Sequence, residues 1–426
     1  MRVLVKLLLF AGMFSLVGGR GNTTQISLQS LINAAPEGGT VRLEAGTYRE
    51  DIVINKPVVI EGEKGAVIKT CSSKPTVTIT GKNVTLKDLK IESCQRDKGK
   101  VVVKISGMNH RLENLQIQTS HQGIQLENVE KSNFLYINLS GNGKKNGFDL
   151  WESHHNRFEG IKINHFEDGF YMENSHYNTF IGNTIQNSRY GMHVMFSDNI
   201  TLIRNVSKSN FSGAMIMGTH QSIIKENQLI ENNQNVNAQG LLLYDVHQST
   251  IEDNDISHNR VGLFMENSSE NTMENNEFIA NFVGAQINKI NSNVIEHNLF
   301  VSNLNDIQAT KAPDNTIQNN YWDAAWKLDT DGDGKSNLSH SADPYFLNLA
   351  KETPPYQLFF QHPGLVLLQK MLKSPDSILV KDQAPLMNME GRQTTRTEPH
   401  TVLLWILSLF MISSSLFIIY LGRKKA

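Results

Sequence analysis

His193, Met195, Met215 and Met217 offer one imidazole and three thioethers in a short stretch of chain. Soft sulfur donors with imidazole suit Cu(I) better than hard cations. The members of each pair stand two residues apart, and the pairs are 22 residues apart. Alternate residues of a strand share a face. Two neighbouring strands in register would therefore gather all four side chains into one patch. A second group, His154, His176, Asp198, His220 and His247, recurs at steps of 22, 22, 22 and 27. Neutral imidazole is the commonest metal-binding side chain, so this column is a second metal candidate. Ser269 and Asn291 continue it, as ordinary polar turn residues would. A third group lies in Asp329-Thr330-Asp331-Gly332-Asp333-Gly334. With a tight Asp/Gly turn as the alternative, Asp329, Asp331 and Asp333 match the first half of a Ca²⁺ loop. Its twelfth position holds His340, leaving Asn337 or Asp343 as the substitute ligand.

Acid–base chemistry on a polysaccharide needs clustered carboxylates with a basic partner. The available acids are Asp149, Glu152, Glu173, Asp245 and Glu266. They are spread along the chain, and Arg204 and Arg260 fall at other positions of its repeat. No compact acid–base set forms, so no catalytic residue is assigned. A polysaccharide-binding or polysaccharide-cleaving protein is the alternative to a metal handler.

The positioning element is a repeat. Glycine followed by alternating residues recurs at Gly147, Gly169, Gly191, Gly213, Gly240, Gly262 and Gly284, with spacings of 22, 22, 22, 27, 22 and 22. Gly123 precedes the series and Asp306 continues it. The long spacing implies a five-residue insertion within 231–239. A unit this short with period-two patterning is too small for helix-pair repeats. It fits one turn of an all-β, right-handed parallel β-helix, a pectin-lyase-like solenoid. Counting each glycine as first, the second and fourth residues are apolar and face inward, as in Phe148 and Leu150. The third and fifth face outward, giving Asp149, Trp151, Tyr171, Glu173, His193, Met195, Met215, Met217, Leu242, Tyr244, Phe264 and Glu266. So apolar an outer face marks either a contact surface or a face covered by the C-terminal segment 344–374. Asn183, Asn205, Asn227, Asn254, Asn276, Asn298 and Asn320 form a column suited to stacked amides at a tight turn.

A short helix opening at Ser27 is expected to cap the core. The domain organisation expected is a signal peptide at 1–20, the β-helix at 21–345, a helical segment and linker at 346–400, a transmembrane helix at 401–421 and a cytoplasmic tail at 422–426. The signal rests on Arg2 and Lys6 before an apolar run of about ten residues. The anchor rests on an uncharged stretch of about 20 residues, enough to cross a bilayer. Arg423, Lys424 and Lys425 then put the tail in the cytoplasm and the body outside. A net charge of −2 points away from general nucleic-acid binding. Cys71 and Cys94, in an exported chain, are permitted a disulfide.

With the repeat in place, the segments after it resemble the NosD family of nitrous oxide reductase maturation proteins. The resemblance rests on Asn319-Asn320-Tyr321-Trp322-Asp323, the Asp329–Gly334 turn, Asp343-Pro344-Tyr345, Gln361-His362-Pro363 and Pro385-Leu386-Met387, and it covers about residues 23–390. It implies an accessory role rather than a reaction. NosD-like proteins work outside the cytoplasmic membrane with the membrane and ATPase subunits of an ABC transporter. They help assemble the copper centres of nitrous oxide reductase, with a copper chaperone as a further expected partner. No catalytic residues carry over. Extra residues separate the Asp329–Gly334 turn from Asp343, and the membrane anchor is no part of the family's β-helix pattern.

Overall fold

A computed structural model describes residues 27–93, 101–310, 312, 314–342 and 380–389. Strands are short because each rung must turn several times. The turning residues recur. In one rung Asn174, Tyr177, Gly182 and Asn187 all have positive φ. Each is followed by a fully or largely buried polar residue: Ser175, Asn178, Asn183 and Ser188. The left-handed residue bends the chain, and the next side chain then points inward, where it must find hydrogen bonds.

It finds them in the neighbouring rungs. Asn183 Nδ2 donates to the Phe158 carbonyl at 3.1 Å and to Asn205 Oδ1 at 2.9 Å, while its backbone N–H reaches the same Oδ1 at 3.0 Å. This is the expected asparagine column. The structure adds two more, one through Asn271 and Asn293, the other through Asn210, Asn232, Asn259 and Asn281. A serine column, Ser153 to Ser175 to Ser197, lines another corner.

Stacking is parallel throughout the solenoid. Twelve strands, from Ile52–Ile54 to Asn305–Thr310, form one sheet, and twenty-four others form a second that folds around the remaining sides. The expected inward pairs are buried: Phe148, Leu150, Phe170, Met172, Met192, Val194, Ala214 and Ile216. Phe134, Phe158 and Phe180 stack up the core with centroids 4.8 and 4.6 Å apart. The glycine column is required by close approach of backbones. A Cβ on Gly213 would stand 2.5 Å from the Gly240 carbonyl oxygen. The expected insertion is the exposed run 233–237, just after Asn232 has kept its place in the column. The chain is thus an all-β parallel solenoid of the pectin-lyase-like kind.

The N-terminal cap is Leu28–Ala34, started by Ser27, with Leu28 and Ile32 buried against the first rung. At the other end, residues 346–379 of the expected helical segment and linker lie outside the described residues. Among the described residues that end is covered by an antiparallel pair, His340–Ala342 with Val380–Asp382. His340 stacks on Trp322 at 4.7 Å, extending the column Phe278, Phe300, Trp322. Cys71 is disulfide-bonded, and the chain's other cysteine, Cys94, lies outside the described residues. So do the expected signal peptide and the 401–421 anchor. No described helix is long and apolar enough to cross a membrane.

Candidate metal centre on the outer sheet face

The twelve-stranded sheet sets the register of the first metal candidate. His193 pairs with Met215, and Met195 with Met217, on strands Tyr190–Met195 and Ser212–His220. Adjacent rungs lie about 4.8 Å apart. The four expected ligands are therefore neighbours on one patch, with Tyr171 below His193 and Glu173 below Met195. The face is less open than alternation alone suggests. His193 keeps only 8 % of its surface and Asp149 only 7 %, while Trp151 and Tyr244 are exposed.

His193 is held on several sides. Its Nδ1 lies 2.8 Å from Asp168 Oδ2. Tyr171 and Tyr190 pack edge-on against its ring, with centroids 5.1 and 4.8 Å away. Asp168 is itself buried, and Arg189 meets it from the side through Nε and Nη2 at 3.0 Å each. A carboxylate only accepts, so Nδ1 donates and the Nε2 lone pair is left for a ligand. The Tyr171 hydroxyl donates to Glu173 Oε2 at 2.6 Å and lies 3.8 Å from Met195 Sδ. Burial, and then Glu173, push that hydroxyl well above the ordinary tyrosine range. Burial also raises the Asp149 carboxyl, against hydrogen bonds from Trp151, Gln122 and Asn146.

The histidine column turns out to close turns. His154 Nδ1 accepts the His176 N–H at 3.0 Å, and His176 Nδ1 accepts the Asp198 N–H at 3.0 Å. Accepting there puts the proton of each neutral ring on Nε2, which then has no lone pair for a metal. His247 places Nδ1 2.8 Å from Ser269 Oγ and Nε2 3.1 Å from Asp245 Oδ1, so both nitrogens are engaged. In this arrangement His154, His176 and His247 tie neighbouring residues together at their corner of the solenoid. His220 differs. It directs Nδ1 to Asp198 Oδ1 at 3.0 Å, which leaves the Nε2 lone pair outward.

Asp329, Asp331 and Asp333 do converge, with one oxygen of each within 4.8 Å of the others. Among the described residues, the later positions of the expected Ca²⁺ loop are engaged elsewhere. His340 faces Trp322, and Asn337 Oδ1 accepts from Thr330 N and Oγ1 at 2.7 and 2.8 Å. Asp329 also accepts from Gly332 and Gly334, as in a tight turn, and these backbone bonds hold its carboxyl below the usual range. Asp343 lies outside the described residues. Glu274, Glu296 and His297 form a further group with one ligand atom each inside 4.8 Å; period-two reading had not joined them.

Asp168 and Arg189 were not singled out in sequence. Asp168 immediately precedes Gly169, where the strand Asp168–Glu173 begins. The signal was a single acidic residue in a register otherwise holding Tyr190, Ser212, Gln239, Val261 and Val283.

Comparison with solved structures finds the same fold. The mannuronan C-5 epimerase AlgE4 A-module of Azotobacter vinelandii matches with TM-score 0.55 and 16% identity, covering 68% of this chain and 94% of that one. A family-6 polysaccharide lyase of Pseudopedobacter saltans matches with TM-score 0.51 and 14% identity, over 70% and 91%. A family-28 exopolygalacturonase of Yersinia enterocolitica matches with TM-score 0.52 and 8% identity, over 68% and 75%. At such identity the likeness speaks for the fold alone. No curated protein sequence matches. The family model described as "Periplasmic copper-binding protein (NosD)" matches residues 32–187 and 136–331, most of the solenoid. The chain belongs to the NosD family.

Proposed function

We propose that this protein is an extracytoplasmic accessory factor for nitrous oxide reductase that holds Cu(I) on His193, Met195, Met215 and Met217 during copper-centre assembly. The observation that carries the reading is the register of the soft donors. Three thioethers and an imidazole occupy neighbouring places on two adjacent rungs, in a family described as copper-binding. Copper is cargo here, so the site must bind it and release it. Half-buried thioethers on a sheet face suit both needs. His220, with Nε2 outward near the end of the same strand, is the one member of the histidine column retained as an auxiliary donor. Calcium at Asp329, Asp331 and Asp333 is kept as a secondary structural proposal. The partners proposed are an ABC transporter, the reductase and a copper chaperone, with the 401–421 helix holding the body at the cytoplasmic membrane.

The glycan alternative is less well supported on charge. Arg189, the cation flanking this patch, is engaged by Asp168 and by Glu167 at 3.4 Å. Asp149 and Glu173 add negative charge where an acidic polysaccharide would lie. A neutral glycan stacked on Trp151 would still be compatible with the face.

The reading is tested by producing the reductase beside a variant with His193, Met195, Met215 and Met217 all changed to Ala. The expected reductase is deficient in copper and activity by at least about tenfold, while the variant accumulates normally. Full copper loading would contradict the proposal.

A further inference from the structure

We infer that Asp168, clamped by Arg189, is a positioning residue for copper: it holds His193 with the proton on Nδ1 and presents Nε2 as the ligand atom. The inference deepens the copper reading and rests on it.

Three observations carry it. First, Asp168 is 1 % exposed, yet its carboxylate is fully engaged. Oδ1 takes Arg189 Nε, while Oδ2 takes Arg189 Nη2 and His193 Nδ1. A buried carboxylate needs such partners to persist. Second, the clamp is braced from outside. Arg189 also meets Glu167 and lies 4.6 Å over the Tyr190 ring, whose edge meets the His193 ring. The ring's orientation is thus set by two aromatic walls and one hydrogen bond, without help from a metal. Third, the arrangement runs across the rungs. Asp168 sits one rung below His193 and three residues toward the strand start from Tyr171, the register partner of His193. No local turn requires this diagonal contact, unlike the Nδ1 contacts of His154 and His176, which close corners.

The consequence is chemical. A metal-binding histidine needs a neutral ring with the correct nitrogen free, and a carboxylate on the other nitrogen supplies both orientation and basicity. With Asp168 in place, the tautomer is chosen before copper arrives, so that choice is not charged against binding. The Met215 side chain on the next rung is the nearest thioether in register.

Two measurements on the full-length protein test this. Long-range ¹⁵N–¹H spectra of the copper-free protein should show His193 protonated at Nδ1 with Nε2 unprotonated; the reverse tautomer would overturn the inference without any mutation. Competition titration with Cu(I) should then show Asp168→Asn binding 10- to 100-fold more weakly than the parent, with an altered His193 tautomer signature and unchanged far-ultraviolet circular dichroism. Unchanged affinity in Asp168→Asn would make Asp168 purely structural and overturn the inference. A parent that binds no Cu(I) would overturn the copper reading itself, and it is recognised separately because the tautomer spectrum needs no metal.

Discussion

Replacing Asp382 with Ala should lower folding stability by roughly 3 kcal/mol or more, since each buried donor left unpaired costs about 1–3 kcal/mol. Asp382 is 1 % exposed, and its Oδ2 accepts from Asn320 N, Asn320 Nδ2 and Trp322 Nε1 at 3.0, 3.1 and 2.9 Å. Every other asparagine of that column, such as Asn276 or Asn298, hands its amide donors to the asparagine above. Asn320 has no further rung to meet, so a carboxylate from a distant part of the chain completes the series. A solenoid end left open would also present unpaired backbone groups to other chains. Asp382→Asn keeps one acceptor oxygen and should fall between parent and Ala variant. Urea denaturation reads both; a loss under about 1 kcal/mol in Asp382→Ala would show that the end of the column is satisfied some other way.

The second large effect is in pH. Asp306 stands where the repeat elsewhere has glycine. Burial, and then the charge of Asp323, raise its carboxyl from 3.8 to about 7. Between those values the folded chain holds the proton more tightly than the unfolded chain does. This contribution is therefore fully present below pH 4 and is lost as pH rises to about 7, a span of about 4 kcal/mol. His340 runs the opposite way. Burial against Trp322 lowers it from 6.5 to about 4, in spite of the Asp382 charge. Its contribution is present above pH 6.5 and is lost as pH falls to about 4, a span of about 3 kcal/mol. The two slopes nearly cancel in the parent. Asp306→Asn should match the parent at pH 4, exceed it by several kcal/mol at pH 8, and become more acid-sensitive. His340→Phe should show the mirror behaviour, gaining on the parent as pH falls. Denaturation midpoints across pH 4–8 measure this; an Asp306→Asn curve parallel to the parent's would refute the assignment.

The repeat was legible because a strand period of two and a rung of 22 residues convert directly into columns. Gly169, the inward Phe170 and Met172, and the Asn183 series each keep one residue type at one offset. The other asparagine columns were harder to see. Ile200, Ser222 and Ser249 interrupt the one, and Phe166 and Ser188 begin the other. A five-residue offset between columns would have revealed them. The Met/His patch was legible in position, since alternation assigns a face. It was not legible in detail. The partner of His193 lies 25 residues back and off register. The histidine column shows the reverse limit: residue type suggested ligands, but the nitrogen left for a metal depends on which backbone N–H stands opposite Nδ1. The C-terminal closure could not be read at all, because Asp382 meets Trp322 across 60 residues with no repeat to guide the pairing.

The most direct measurement is anaerobic titration of the full-length protein with Cu(I) against a competing chelator, beside the variant with His193, Met195, Met215 and Met217 changed to Ala. The account predicts one tightly held Cu(I) in the parent and an affinity at least about 100-fold weaker in the variant. That ratio corresponds to about 2.7 kcal/mol, a modest loss for four ligands. Equal affinity in the two proteins would place copper elsewhere. No binding by the parent would leave the outer face as a docking surface and contradict the central claim.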